Sequence, residues 1–112
     1  MTLIASVRHA GQLMAHEELL ELESRFPEHF RYHPVLTRAW PEDWPYGKGR
    51  IIRVSESCEG ETNIDLSRIF EVVPDLEGWD LRMCGSMPCR DEIIQGLQQH
   101  NLVPKSFRSE VW

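Results

Sequence analysis

The chain is poor in cysteine, has no long hydrophobic run and carries no excess of positive charge, and each shortage excludes a class of protein. Its three cysteines are Cys58, Cys84 and Cys89. An odd number without framework spacing excludes a disulfide-stapled scaffold and points to free thiols in a reducing compartment. No apolar stretch approaches membrane-spanning length, and the N-terminus shows no basic segment followed by an apolar one. Neither a membrane span nor a secretory signal is expected, and a cytoplasmic location is the plain expectation. Lys and Arg number 12 against 18 Asp and Glu, a net charge of -6. That balance lacks the basic field of a nucleic-acid binder, although a local basic cluster could still grip a phosphate. Ligand spacing for a metal is missing too. His29 and His33 span a helix end and a strand, Cys84 and Cys89 a turn and a helix start, so no metal site is expected.

What is present is an ordinary globular composition, 41% hydrophobic and 27% charged. The length allows one domain with a single core, and no repeat or low-complexity tract divides it. Thr2 to Val7 (TLIASV) reads as a short, mostly buried strand ended by Arg8-His9 and a break at Gly11. From Gln12 to Phe26 the recurrence of Ala15, Leu19, Leu22 and Phe26 on one stripe predicts a helix, with Glu17, Glu18, Glu21 and Glu23 on its solvated side. Pro27 stops it. Phe30 to Arg38 is a second strand, and Pro34 within it predicts an edge position. Residues 39–50 form a loop rich in Pro, Gly and Trp. The stretch 51–78 is the least regular: Ile51, Ile52 and Val54 suggest the start of a helix or strand, Ser55 to Asn63 reads as a polar turn and Asp65 to Val73 as a short helix, together a broken helix. Trp79 to Met83 is a third strand, with Cys84-Gly85-Ser86 as the turn at its end. Asp91 to His100 is a helix with Pro88 near its first turn and Asp91 and Glu92 favouring its positive end. Phe107 to Val111 is a last strand. Strand–helix–strand, twice, is the βαβ pattern of an α/β fold with a parallel sheet.

In such sheets ligands bind at the carboxyl ends of the strands, where this chain places Arg8, Thr37-Arg38, Cys84-Gly85-Ser86 and Glu110-Val111-Trp112, with Arg50 closing the loop after the second strand. Three guanidinium groups converging on one edge would make a phosphate site, because Arg forms forked, charge-assisted bonds to phosphate oxygens. Alternatively each is a solvated arginine paired with one of the carboxylates. Cys84 before a glycine sits where a flat ring can approach the backbone closely, or is a small hydrophobe in a tight turn. Glu110 could carry a proton in a dry site or stand solvated on an edge strand. A terminal Trp112 could cover a planar cofactor or fold onto the nearest apolar surface.

Taken in order, Val7-Arg8-His9-Ala10 with Leu13, Val35-Leu36-Thr37-Arg38, Lys48-Gly49-Arg50-Ile51, Met83-Cys84-Gly85-Ser86 and Glu110-Val111-Trp112 resemble the C-terminal NADP-binding domain of the ferredoxin–NADP reductase and flavodoxin reductase family. The resemblance runs over essentially the whole chain. It implies a Rossmann-like parallel sheet with flanking helices. Arg8, Arg38 and Arg50 would hold the 2′-phosphate of NADP(H). Cys84, Gly85 and Ser86 would lie beside the nicotinamide, with Cys84 and Glu110 as the catalytic pair, and Trp112 would stack over the flavin. Hydride would pass between NADPH and FAD, and electrons between FAD and ferredoxin or flavodoxin.

The chain also departs from that pattern. It lacks the family's FAD-binding β-barrel, and it lacks the first strand and Gly-rich turn of the nucleotide domain. Arg82 falls within a strand that the family buries. The expectation is therefore a partial NADP-binding domain, residues 1–112, whose missing central strand would expose unpaired edges. A second copy or a complementing FAD domain would fill the gap. The alternative expectation is a non-catalytic NADP-binding module or an inactive remnant of such a reductase.

Overall fold

Thr2–Val7, a run without charge, proline or glycine, forms strand β1 over the expected residues. The computed structural model describes residues 1–56 and 59–111, which fall into two units, Met1–Ile51 and the remainder from Ile52.

In the first unit β1 is followed by a single turn of 3-10 helix at Ala10–Gln12 and by helix α1, His16–Arg25. The helix expected from Gln12 starts later because Ala15 lies in the left-handed region, φ 54°. L-residues adopt that conformation only at a local cost, and it cannot continue a right-handed helix. The chain then forms β2, Arg31–Leu36, and β3, Gly47–Lys48, in the order β1-β2-β3 with both pairings parallel. β3 lies within what reads in sequence as a loop.

Pro34 is therefore not on a simple edge strand: β2 lies between two neighbours and Pro34 is fully buried. The hydrogen bonds explain how it is accommodated. Arg31 N donates to Met1 O and Thr37 N to Val7 O, so the odd-numbered residues of β2 face β1. The nitrogen of Pro34 points the other way, and β3 pairs only with Val35 and Leu36. The missing N–H thus falls where no partner strand runs. At Tyr32 on that same side, the amide is taken instead by the Glu23 carboxylate at 2.6 Å. The core of this unit is Phe30, Tyr32, Val35, Leu36 and Trp44.

In the second unit a hairpin stands where a polar turn and broken helix were expected, while the short helix expected at Asp65 to Val73 is present. Strands β4, Arg53–Glu56, and β5, Thr62–Asp65, pair antiparallel, and only then comes helix α2, Ser67–Val72. β4 is exposed along its whole length, with no apolar alternation, so period-2 reasoning has nothing to detect there. Strand β6, Asp80–Gly85, helix α3, Met87–Gln99, and strand β7, Ser106–Val111, form a parallel βαβ unit. α3 begins four residues before the expected Asp91, since Ser86 caps it by accepting from Cys89 N at 3.3 Å and Pro88 fits its first turn. Asp91 consequently lies beyond that turn and pairs with Arg90 at 3.3 Å. Ile52, Ile64, Leu66, Val73, Leu76 and Leu97 form this unit's core. The chain is a mixed α/β protein with small parallel sheets, and among the described residues no helix is long and apolar enough to cross a membrane.

Candidate anion site at the ends of β1 and β2

The last rung between β1 and β2 pairs Val7 with Leu36, and the backbone beyond it keeps the two chains together. Thr37 N donates to Val7 O at 2.8 Å, and Arg38 N and Ala39 N both donate to Arg8 O at 3.1 Å. Arg8 N in turn donates to Gln12 Oε1 at 3.0 Å, which ties the strand end to the turn that follows. Arg8 and Arg38 are thus held side by side by their own main chains. Arg50 arrives from the far side of β2. Gly49 N donates to Leu36 O at 2.8 Å, and Gly49 has φ 83°, a conformation that glycine adopts without the Cβ penalty. The chain bends there, immediately before Arg50.

Arg8, Thr37, Arg38 and Arg50 line one concavity of about 270 Å³. The three arginines are exposed and Thr37 is half-buried. Neither Arg8 nor Arg38 forms an ion pair among the described residues. Three arginines give this space a cationic lining in a chain of net charge -6. Guanidinium groups only donate hydrogen bonds, and Thr37 adds a hydroxyl, so the lining suits an anion with several acceptor oxygens. The volume lies just below the roughly 300–1,000 Å³ of pockets that enclose drug-sized ligands. It accommodates a phosphate group and its immediate attachment rather than a whole dinucleotide. The three arginines picked out as strand and loop ends do meet; Thr37 joins them because it is the residue between the last β2 rung and Arg38.

The other expected residues lie in the second unit. Cys84 and Glu110 are Cα partners across β6 and β7. Side chains at one level of neighbouring strands share a face, and both residues are exposed there. Arg82 and Arg108 are the next pair back on this face, and Ser106 Oγ donates to Asp80 Oδ1 at 2.6 Å at its far end. Leu81, Met83 and Phe107 occupy the opposite, half-buried side. Arg82 is therefore accommodated by a sheet with one solvated face. Gly85 ends β6, and Ser86 is not a free turn residue, because its hydroxyl is engaged as the α3 cap. Trp112 lies outside the described residues. Among those described, no group of three or more His, Cys, Asp or Glu is placed to hold a metal ion.

No protein-family model matches the chain, and neither does any curated protein or solved structure.

Proposed function

We propose that the chain is the NADP(H)-binding part of a flavin-dependent ferredoxin– or flavodoxin–NADP reductase, with the Arg8–Arg38–Arg50 concavity as the seat of the 2′-phosphate. The observation that carries this reading is the convergence of three arginines and Thr37 on one phosphate-sized space. NADP sites use arginine near the end of the second strand, where NAD sites use a carboxylate. The reading treats β1-α1-β2 and β6-α3-β7 as pieces of a Rossmann-like fold, with a second copy or a complementing FAD domain as partner. NADPH and FAD supply the hydride chemistry when bound, and ferredoxin or flavodoxin the single-electron exchange. The chain's own share is placement. The arginines hold the phosphate, Gly85 and Ser86 at the end of β6 are assigned to the nicotinamide side, and Cys84 and Glu110 present a thiol and a carboxylate on the solvated face of β6 and β7. Trp112 is assigned to flavin stacking, and the location is cytoplasmic.

Titration of the purified chain with 2′-phospho-AMP against AMP tests the site. The expected outcome is tighter binding of the 2′-phosphorylated nucleotide. Arg38→Ala should weaken it by about ten- to a hundredfold, the scale of a lost charge-assisted hydrogen bond, while leaving AMP unchanged. Equal affinity for both nucleotides overturns the assignment. A second reading, a non-catalytic NADP-binding module, is favoured by one feature: all four lining residues belong to the first unit and none depends on Cys84 or Glu110. Flavin absorbance in material purified with its partners supports the reductase; colourless material that still prefers 2′-phospho-AMP supports the module.

A further inference from the structure

His16, the first residue of α1, stands among three aromatic rings. Its ring centroid is 5.7 Å from those of Tyr32 and Trp44 and 5.9 Å from that of Tyr46. Its Nδ1 is 3.0 Å from the Tyr32 hydroxyl. Burial, and Tyr46 nearby, push the Tyr32 phenol above its ordinary pKa. Trp44 and Tyr46 meet edge to face at 5.0 Å, and Trp44 Nε1 donates to Gly47 O at 3.0 Å. From Gly47 the chain is fixed residue by residue to β2. Gly47 pairs with Val35, where an added Cβ would lie only 2.8 Å from Val35 Cγ2. Lys48 pairs with Leu36, Gly49 N donates to Leu36 O, and Arg50 follows at the concavity.

We infer that His16 is a positioning residue for the anion site: its ring braces the Trp44–Tyr46 segment and so sets where Arg50 enters the concavity. This rests on the phosphate assignment above. Arg8 and Arg38 are aligned by β1–β2 hydrogen bonds alone, whereas the segment leading to Arg50 is held both by its pairing with β2 and, through the Trp44 Nε1 bond to Gly47 O, by the aromatic cluster. The brace is carried by the packing of the imidazole against Trp44 and Tyr46, whereas the Tyr32 hydrogen bond only orients the ring. Two substitutions separate these contributions. His16→Phe keeps a ring without the hydrogen bond; His16→Asn keeps an acceptor near the Nδ1 position without the ring.

The test is 2′-phospho-AMP affinity in the full chain, with circular dichroism to confirm that each variant is folded. His16→Asn should weaken binding about fivefold, the scale of one aromatic pair interaction, and His16→Phe should restore most of it. In an Arg50→Ala background the His16→Asn effect should vanish, and in an Arg8→Ala background it should persist. An Asn effect undiminished in Arg50→Ala, or a folded His16→Asn variant of native affinity, overturns the inference while leaving the phosphate assignment intact. If Arg8→Ala and Arg50→Ala themselves bind like the parent chain, the phosphate assignment fails and the inference with it.

Discussion

A β-carbon on Gly96 of α3 would lie 2.8 Å from Leu66 Cδ1, 2.9 Å from Leu66 Cγ and 3.0 Å from Ile64 Cγ2. Leu66 and Ile64 are each about 1% exposed, so neither can move aside into solvent. Helix propensity favours alanine over glycine by about 1 kcal/mol, and overpacking opposes it by about 1–3 kcal/mol. Gly96→Ala should therefore destabilise the chain on balance, as a lower urea midpoint at unchanged slope; a higher midpoint would show that Leu66 finds another rotamer. Asp65 offers a residue-scale pH effect. Its side chain accepts from Ser67 N at 2.8 Å, and the side-chain and backbone hydrogen bonds of Ser67, with Arg53 and His100 nearby, hold its carboxyl below the usual range. Because the folded pKa is depressed, this contribution is fully present above the ordinary carboxyl pKa and is lost as pH falls through the lowered one. The Ser67 amide resonance should move with Asp65 titration at a pH below that of an unperturbed aspartate. Titration in the ordinary Asp range, about pH 3.9, would show that Ser67 does not favour the charged carboxylate.

Among the elements, those with a buried face or an unmixed apolar run were legible in the sequence. The sequence pattern places β1 at its observed ends, β6 and β7 within a residue or two of theirs, and the end of α3 within its last turn. The misses have local causes. Ala15 takes a left-handed conformation that no propensity signals, β4 has no buried side, and β3 is two residues long. At the site, the arginines were legible because strand ends are where α/β sheets expose polar groups. The His16 cluster was not, since its members come from a helix start, a strand and a loop with no common period. Pairing by a side chain is equally silent. Gln99 of α3 accepts from Ile64 N at 2.9 Å and donates to Thr62 O at 2.8 Å, standing in for a strand along the free side of β5. Gln99→Ala should leave the amide of the buried Ile64 without its partner, costing about 1–3 kcal/mol. Hydrogen exchange at Ile64 should accelerate more than at Asn63, which lies opposite Ser55 and whose amide faces β4 rather than Gln99. Equal acceleration at both would mean that the hairpin opens as one piece and that Gln99 does not act on the edge.

At the scale of the whole chain, the division into two units separates the residues of the proposed reductase. Arg8, Thr37, Arg38 and Arg50 belong to the first unit, Cys84 and Glu110 to the second. The single domain suggested by length does not by itself reveal such a partition, because each unit has its own short apolar set rather than a share of one long pattern. A ligand that binds only the folded state stabilises it by mass action, about 2.7 kcal/mol at a free concentration a hundred times its dissociation constant. If the 2′-phosphate is held by the first unit's residues, 2′-phospho-AMP should protect the amides of β1, β2 and β3 most strongly. Those of β6 and β7 should respond less, and AMP alone should protect neither set to the same degree. Leu66→Ala, a cavity in the second unit's core expected to cost about 2–5 kcal/mol, should leave the nucleotide preference in place wherever the first unit remains folded. Leu36→Ala should abolish it, because the wholly buried Leu36 side chain packs the end of β2, and the cavity left there disturbs the segment that holds Gly49 in front of Arg50. Protection spread evenly over both units would show that they unfold together. Loss of the preference in a folded Leu66→Ala variant would show that the phosphate site does not belong to the first unit alone.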